Sequence, residues 1–248
     1  MFWGFVQGAT EFLPISSSGH LVLVPALLGR DGPDLATSAM LHLGTLIAVL
    51  AYYRSDIVAM ARFDRPGRRM ISLIVIGTIP VVVLGLAFKD QLEEINGNPR
   101  TVAVFLTITG VVLLLTGLFR IGDRTAEDIG PKDAGIIGIA QAFALIPGVS
   151  RSGITISAGL ARGMERVQAA RFAFLLGIPA IAGGGLLSMV DLMQEGGGIP
   201  AATWIGVAVA GLVGYLAIAL LIRVLAWVGL APFGVYCVVA GLASLALL

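Results

Sequence analysis

The sequence predicts an all-α polytopic membrane protein: six transmembrane helices plus two re-entrant helical hairpins, arranged as an inverted-topology repeat. Three observations lead there. Of the 248 residues, 57% are hydrophobic and only 12% charged, with a mean hydropathy of +0.96, a balance outside that of water-soluble domains. Six apolar segments reach the length of about 20 residues that crosses a bilayer core. Two further apolar pairs, each too short to cross, flank the polar tips PISSSGH at 14–20 and PGVSRSG at 147–153.

In chain order, the stretches 2–13 and 21–28 form the first hairpin, because irregular backbone at membrane depth must be buried in protein or face a water-filled cavity. The six spans follow at about 35–53, 70–88, 101–119, 172–190, 199–222 and 224–248, with the second hairpin, 134–146 and 154–161, between the third and the fourth. Pro80 and Pro179 are expected to kink their spans, and the glycine runs 183–185 and 196–198 to mark close helix packing and a loop. No Lys or Arg precedes Arg30, so the first apolar stretch lacks the basic n-region of a signal peptide and belongs to the fold.

A shift of 134 positions places Gly4 on Gly138, Gln7 on Gln141, Ser16 on Ser150, Ser18 on Ser152 and Gly19 on Gly153. This predicts one integral membrane domain, 1–248, with repeat halves at approximately 1–120 and 134–248. Three spans per half invert the second copy, and sites in such folds form at the midplane where the broken elements meet.

Basic residues set the orientation. Arg54, Arg62, Arg65, Arg68, Arg69, Arg120, Arg124, Lys132, Arg162, Arg166, Arg171 and Arg223 fall on one side, against Arg30, Lys89 and Arg100 on the other. The positive-inside rule makes the first side cytoplasmic and puts both termini outside. The first hairpin then enters from the outer face. A net charge of +1 without a dense basic run gives no sign of a nucleic-acid partner, and the lone Cys237 excludes a disulfide framework.

Ionisable groups at membrane depth mark function, and this topology leaves Glu11, His20, His42 and Arg151. If the tips converge, Glu11, His20 and Ser16, Ser17 and Ser18 meet Arg151, Ser150 and Ser152. An Arg fork with hydroxyl and helix N-terminal donors suits a phosphate, and Ser with His and a carboxylate supplies a nucleophile and a proton relay. A buried Glu11–Arg151 pair that only ties the hairpins together is the alternative. His42, alone on a span, is expected to make a structural interhelical hydrogen bond. Ser16, Ser18, Ser150 and Ser152 are either phosphate contacts or packing groups.

The stretches QGATEFLPISSSGHLVL and PGVSRSGITI together resemble the paired signature of bacterial undecaprenyl pyrophosphate phosphatases of the bacitracin-resistance type, over nearly the whole chain. The resemblance implies hydrolysis of undecaprenyl pyrophosphate to the monophosphate and inorganic phosphate, which recycles the lipid carrier of peptidoglycan synthesis and confers bacitracin resistance. It places the family's acidic motif on Gln7 and Glu11, its essential Ser and His on Ser17 and His20, and its essential Arg on Arg151. Catalysis is therefore expected from Glu11, Ser17, His20 and Arg151, with Ser17 as nucleophile and His20 as its base, a direct His20 nucleophile or a metal-activated water being the alternatives, and substrate contacts from Gln7, Ser16, Ser18, Ser150 and Ser152. Where relatives carry a second carboxylate this chain has Gln7, which leaves Glu11 as the carboxylate for a divalent cation, Mg²⁺ or Ca²⁺.

The chain starts closer to its first motif than the family pattern does, so the first hairpin helix is expected to be a turn short, or the start to be misassigned. The expected setting is the bacterial inner membrane, multi-pass, with the site open to the outer face. A lipid pyrophosphate and the membrane are the expected partners, with no nucleic acid, and a homodimer is left open. A polyprenyl-phosphate flippase or anion transporter is the rival function, since inverted repeats with broken midplane elements also build transporters.

Overall fold

The computed structural model describes residues 1–119, 122–194 and 201–248. Arg120 and the glycine run 196–198, both used in the sequence reading, lie outside the described residues. Among the described residues twelve α-helices carry the fold, and the only strand-like feature is a single bridge between Arg124 and Met164. Two pairs of short helices stand out: α1 (Phe2–Phe12) with α2 (Ser17–Leu28), and α8 (Pro131–Phe143) with α9 (Arg151–Ala161). At about 1.5 Å per residue, 11 to 13 residues reach only about two-thirds of a bilayer core.

The long helices start and stop on local signals. Asp34 caps α3 (Leu35–Tyr52) by accepting the Thr37 N–H, and the chain then bends by 74° into α4 (Arg54–Ala61). Asp64, followed by Pro66 in the first turn, starts α5 (Arg65–Ala87) five positions earlier than hydropathy alone predicts. After the short α6 (Lys89–Asn96), Asn98 and Pro99 do the same for α7 (Pro99–Leu115), which ends in a 3-10 turn, 116–118.

Helices α10 (Arg166–Gln194) and α11 (Ala201–Trp227) complete the second half with α12 (Ala231–Leu247). Among the described residues four helices, α5, α7, α10 and α11, are long and apolar enough to cross a membrane, and the bent α3–α4 pair makes a fifth. The predicted break at Arg223 is not there. Arg223 lies inside the last turns of α11, where a long side chain can reach the interface, and the chain turns at Gly229, whose φ of 80° favours a residue without a Cβ. Pro80 and Pro179 sit within continuous helices.

An exposed apolar belt fits lipid rather than water. On α5, Val75, Ile79, Val82, Val83 and Leu86 face outward while Met70, Leu73, Gly77 and Val81 are buried. On α12, Val235, Val239 and Leu242 face out and Gly234, Cys237, Gly241 and Ser244 face in. Lipid offers no hydrophobic drive between helices, so close contact falls to small residues. Gly77 of α5 meets Gly138 of α8, and Gly110 of α7 meets Gly234 of α12, each so closely that a Cβ would strike the opposite backbone. Of the run at 183–185, expected to pack this way, Gly185 lies against Leu43, but Gly183 and Gly184 have nothing among the described residues within 4 Å of a would-be Cβ.

Helix α1 packs on α11 and α8 on α5, while α3 packs on α10 and α7 on α12. Within this frame the edge-to-face pair Phe12 and Phe174, ring centroids 5.6 Å apart, fixes the end of α1 against α10.

Basic side chains interlock at one end of the bundle. Asp133 accepts from Arg124 and Arg162 at 2.7 Å each and from the Gly130 N–H at 3.0 Å. Arg69 donates to the carbonyls of Glu127 and Ile129, and Arg171 binds Asp56 and Glu127. At the other end of α7, Arg100 donates to the carbonyl of Leu248 at 2.7 Å. Burial pushes the Asp133 carboxyl up, but its three donors outweigh that and hold it down at about 2, against an ordinary 3.8.

A carboxyl depressed in the folded state stabilises the fold above its unfolded pKa and loses that contribution as pH falls through the folded value. Asp133→Asn should therefore lower the melting temperature in detergent at pH 7, with the deficit shrinking between about pH 4 and pH 2. An equal deficit at pH 7 and pH 2, in a protein still folded at both, would show that charge on Asp133 is not what matters.

Candidate active site

The site assembles from the two short-helix pairs. Along α1, Gln7 and Glu11 are one turn apart on the same face, and Gln7 Nε2 donates to Glu11 Oε2 at 2.9 Å. Both are buried, Gln7 completely, and Gln7 Oε1 is without a hydrogen-bond partner among the described residues. After Pro14 the chain turns through Ser16 at φ 67°, ψ 98°, a conformation costly for a residue with a Cβ. Ser16 Oγ caps α2 by accepting the Gly19 N–H at 3.1 Å. That turn places Ser17 first in α2, where its hydroxyl donates to Glu11 Oε2 at 2.5 Å.

The second pair repeats the construction. Ser150 Oγ caps α9 by accepting the Gly153 N–H at 3.2 Å, and Arg151 stands first in the helix. Its guanidinium donates to Glu11 Oε1 at 2.8 Å and to the Gly177 carbonyl of α10 at 3.1 Å. Ser17 and Arg151 are 134 positions apart, the repeat shift. The same position of the two helices thus supplies a hydroxyl and a cation to the two oxygens of one carboxylate.

The tips also interlace through backbone. Ser152 Oγ donates to the Leu13 carbonyl at 3.3 Å, and Ser16 Oγ lies 3.5 Å from the Val149 carbonyl. Thr109 of α7 supports the second tip by donating to the Gly148 carbonyl at 3.1 Å and accepting the Ser150 N–H at 3.3 Å. Ser16 and Ser150 are therefore committed as caps and Ser152 as a tie between the tips, all three buried, whereas Ser17 and Ser18 keep partial exposure. The Ser18 hydroxyl lies 3.3 Å from that of Ser16.

The sequence reading brought Glu11, Ser17, His20 and Arg151 together, and so does the fold, but with different pairings. Ser17 is bonded to Glu11 and not to His20. The His20 ring is engaged at both nitrogens, Nδ1 with the Ser16 carbonyl at 2.8 Å and Nε2 with the Tyr236 hydroxyl at 2.6 Å. A hydroxyl at the first helical position points back toward α1, while the ring one turn on points away toward α12. His42 likewise differs from expectation. Its Nδ1 bonds the Ser38 carbonyl of its own helix at 2.8 Å, and its Nε2 faces Glu11 Oε2 at 3.9 Å, which puts it on the rim of the site.

Tyr236 and Thr109 were missed, since neither lies in a tip and neither ionises in the ordinary range. His42 is among the ionisable groups counted at membrane depth, but the expectation of a structural hydrogen bond set it apart from the site that its Nε2 faces. Chemically, the arrangement offers a hydroxyl beside a carboxylate, a guanidinium in reach of the same point, and two helix N-termini whose first N–H groups have no partner within their helices. Among the described residues no group of three or more His, Cys, Asp or Glu side chains gathers as a metal cage.

The profile of the bacitracin resistance protein BacA family matches residues 1–243. An undecaprenyl-diphosphatase of Pelobacter propionicus is 42% identical over 253 aligned residues, covering 96% of this chain and 92% of the relative. One of Alcanivorax borkumensis is 43% identical, covering 97% and 94%, and one of Methanosphaera stadtmanae is 39% identical, covering 98% and 95%. Matched along nearly its whole length by the family and by these relatives, the chain belongs to the bacitracin resistance protein BacA family.

Proposed function

We propose that this protein is a membrane-embedded undecaprenyl-diphosphatase, hydrolysing undecaprenyl pyrophosphate to undecaprenyl phosphate and inorganic phosphate. It would recycle the lipid carrier of peptidoglycan synthesis and confer resistance to bacitracin. The single observation that carries this reading, beside family membership, is the Ser17 hydroxyl 2.5 Å from a Glu11 carboxylate that also receives Arg151. A flippase or anion transporter needs a cation for phosphate but has no use for a hydroxyl held against a base.

Ser17 Oγ attacks the terminal phosphorus, its proton passing to Glu11 Oε2, while the bond from that phosphorus to the bridging oxygen breaks. Glu11 hands the proton to the departing lipid phosphate. Water then attacks the phosphorylated serine, and its proton returns to Ser17 through Glu11. Arg151 transfers its fork from Glu11 to the phosphoryl oxygens and holds the charge that develops there. His20 orients the turn that presents Ser17, and Ser18 and the N-termini of α2 and α9 receive the remaining phosphate oxygens.

A divalent cation, Mg²⁺ or Ca²⁺, fits this donor set, because the unpartnered Gln7 Oε1, the Glu11 carboxylate and the Ser17 hydroxyl are neighbouring oxygens of the type hard cations take. When bound, it would supply neutralising charge to the pyrophosphate.

The topology we propose has α3, α5, α7, α10, α11 and α12 as six spans of the bacterial inner membrane. In it α1–α2 and α8–α9 are re-entrant hairpins of two inverted halves, 1–120 and 134–248. The matched packing of α1 on α11 and α8 on α5 supports the repeat, and the outward Val235, Val239 and Leu242 of α12 support a sixth span despite its 17 residues. Segregation of Arg69, Arg124, Arg162 and Arg171 from Arg100 supports a cytoplasmic basic end. The site then opens to the outer face.

Purified protein in detergent should release inorganic phosphate from a long-chain prenyl pyrophosphate, and a chelator of divalent cations should stop it. Glu11→Gln should lose turnover by about a hundredfold or more while staying folded, and Arg151→Lys should be nearly as damaging as Arg151→Ala, because a flexible ammonium cannot replace a two-pronged fork. Full activity of Glu11→Gln, or near-normal turnover of Arg151→Lys, would remove the residue concerned from the chemistry.

Single cysteines at Arg65 and Asn96 in a Cys237→Ser background should label oppositely with an impermeant reagent in intact cells, Asn96 from outside. Labelling at Arg65 from outside would invert the orientation.

A further inference from the structure

Helix α12 grips the first tip at two neighbouring residues. The Cys237 thiol points to the Pro14 carbonyl at 3.6 Å, and the Tyr236 hydroxyl meets His20 Nε2 at 2.6 Å with the two rings stacked, centroids 5.7 Å apart and planes within 10°. The Ser16 carbonyl can only accept, so the His20 nitrogen 2.8 Å away, Nδ1, carries the hydrogen. In a neutral imidazole Nε2 is then the acceptor and Tyr236 the donor. Neutrality is what the surroundings favour: the ring joins no ion pair among the described residues, and its two partners are a carbonyl and a hydroxyl.

The bond matters because of what lies at its far end. His20 holds the Ser16 carbonyl, and Ser16 sits at the strained φ of 67° immediately before Ser17. A chain of contacts therefore runs from Tyr236 through His20 to the residue that aims the nucleophile. Tyr236 is 44% exposed, so it stands at the border of the site and not in the packed core.

We propose that Tyr236 is a positioning residue of the phosphatase site: its hydroxyl donates to Nε2 of His20, whose Nδ1–H is held by the Ser16 carbonyl, and by fixing the ring at both nitrogens it locks the turn that holds Ser17 against Glu11. This inference rests on the phosphatase reading for its kinetic consequence but not for its structural one.

The test compares Tyr236→Phe, which keeps the stacked ring and loses only the hydroxyl, with Tyr236→Leu, which loses both. Phosphate release from a long-chain prenyl pyrophosphate should show kcat lowered about tenfold in Tyr236→Phe, the loss of roughly one well-placed hydrogen bond, with KM changed less than about twofold and the melting temperature unchanged. Tyr236→Leu should turn over no faster than Tyr236→Phe.

The chain has two histidines, so ¹⁵N-histidine spectra contain two imidazoles, and a His42→Gln sample identifies the His20 signals. In Tyr236→Phe the His20 Nε2 resonance should move toward that of an imidazole nitrogen accepting no hydrogen bond, with Nδ1 still protonated against the Ser16 carbonyl. Wild-type kcat in Tyr236→Phe with a loss only in Tyr236→Leu would reduce Tyr236 to packing and overturn the proposal, as would an unchanged His20 Nε2 resonance. If the unsubstituted protein released no phosphate, the phosphatase reading would fail, and the Nε2 comparison would still decide whether Tyr236 holds the His20 ring.

Discussion

The arrangement depends on one buried ion pair. Glu11 and Arg151 come from opposite halves of the chain, and either charge alone at that depth would be costly in a low-dielectric setting. Their 2.8 Å contact obliges the two polar tips to meet, and the tips can meet only if α1 and α8 reach the interior alongside α11 and α5. Glycines make that possible. Gly4 and Gly8 lie against the backbone of α11 and Gly138 against that of Gly77, so that backbones approach where side chains would hold them apart.

The pair also shows the site to be unequal between positions 134 residues apart. Position 11 is Glu where its counterpart 134 residues on, Leu145, is apolar, and position 17 is Ser where its counterpart is Arg151. One half thus supplies the carboxylate and the hydroxyl, and the other supplies the guanidinium. Gln7 and Gln141, equivalent and both buried, illustrate the difference. Gln7 donates to Glu11, whereas neither polar side-chain atom of Gln141 has a partner among the described residues. In the proposed mechanism a substrate phosphate arriving between the tips takes over Arg151 from Glu11 and frees the carboxylate to accept the Ser17 proton, so the contact that builds the site is the one that mechanism opens.

Much of this was legible in the sequence, for physical reasons. Spans are visible because lipid demands long apolar helices, and the tips are visible because polar residues flanked by segments too short to cross must be buried in protein. What hydropathy could not fix is where each helix begins and ends: Asp64 and Asn98 start α5 and α7 earlier, and α11 carries Arg223 within it. Contacts between residues close in sequence were also misjudged. Ser17 and His20 were expected to act together as nucleophile and base, but at the head of a helix one turns back to α1 and the other across to α12. Tyr236 is 216 residues from His20 and gives no signal until the halves are packed. The glycines at 183 and 184 follow the opposite course, a packing pattern in sequence with open space around it in the fold.

The most direct test of this account is a double-mutant cycle on the ion pair, with the melting temperature in detergent measured for the unsubstituted protein, Glu11→Gln, Arg151→Gln and the double variant. Removing one partner leaves the other charge buried and unpaired, so each single variant should melt well below the unsubstituted protein, and the double variant should lose no more than either single one. Losses that simply add would mean that the two residues do not hold the tips together, and the site described above would have no keystone.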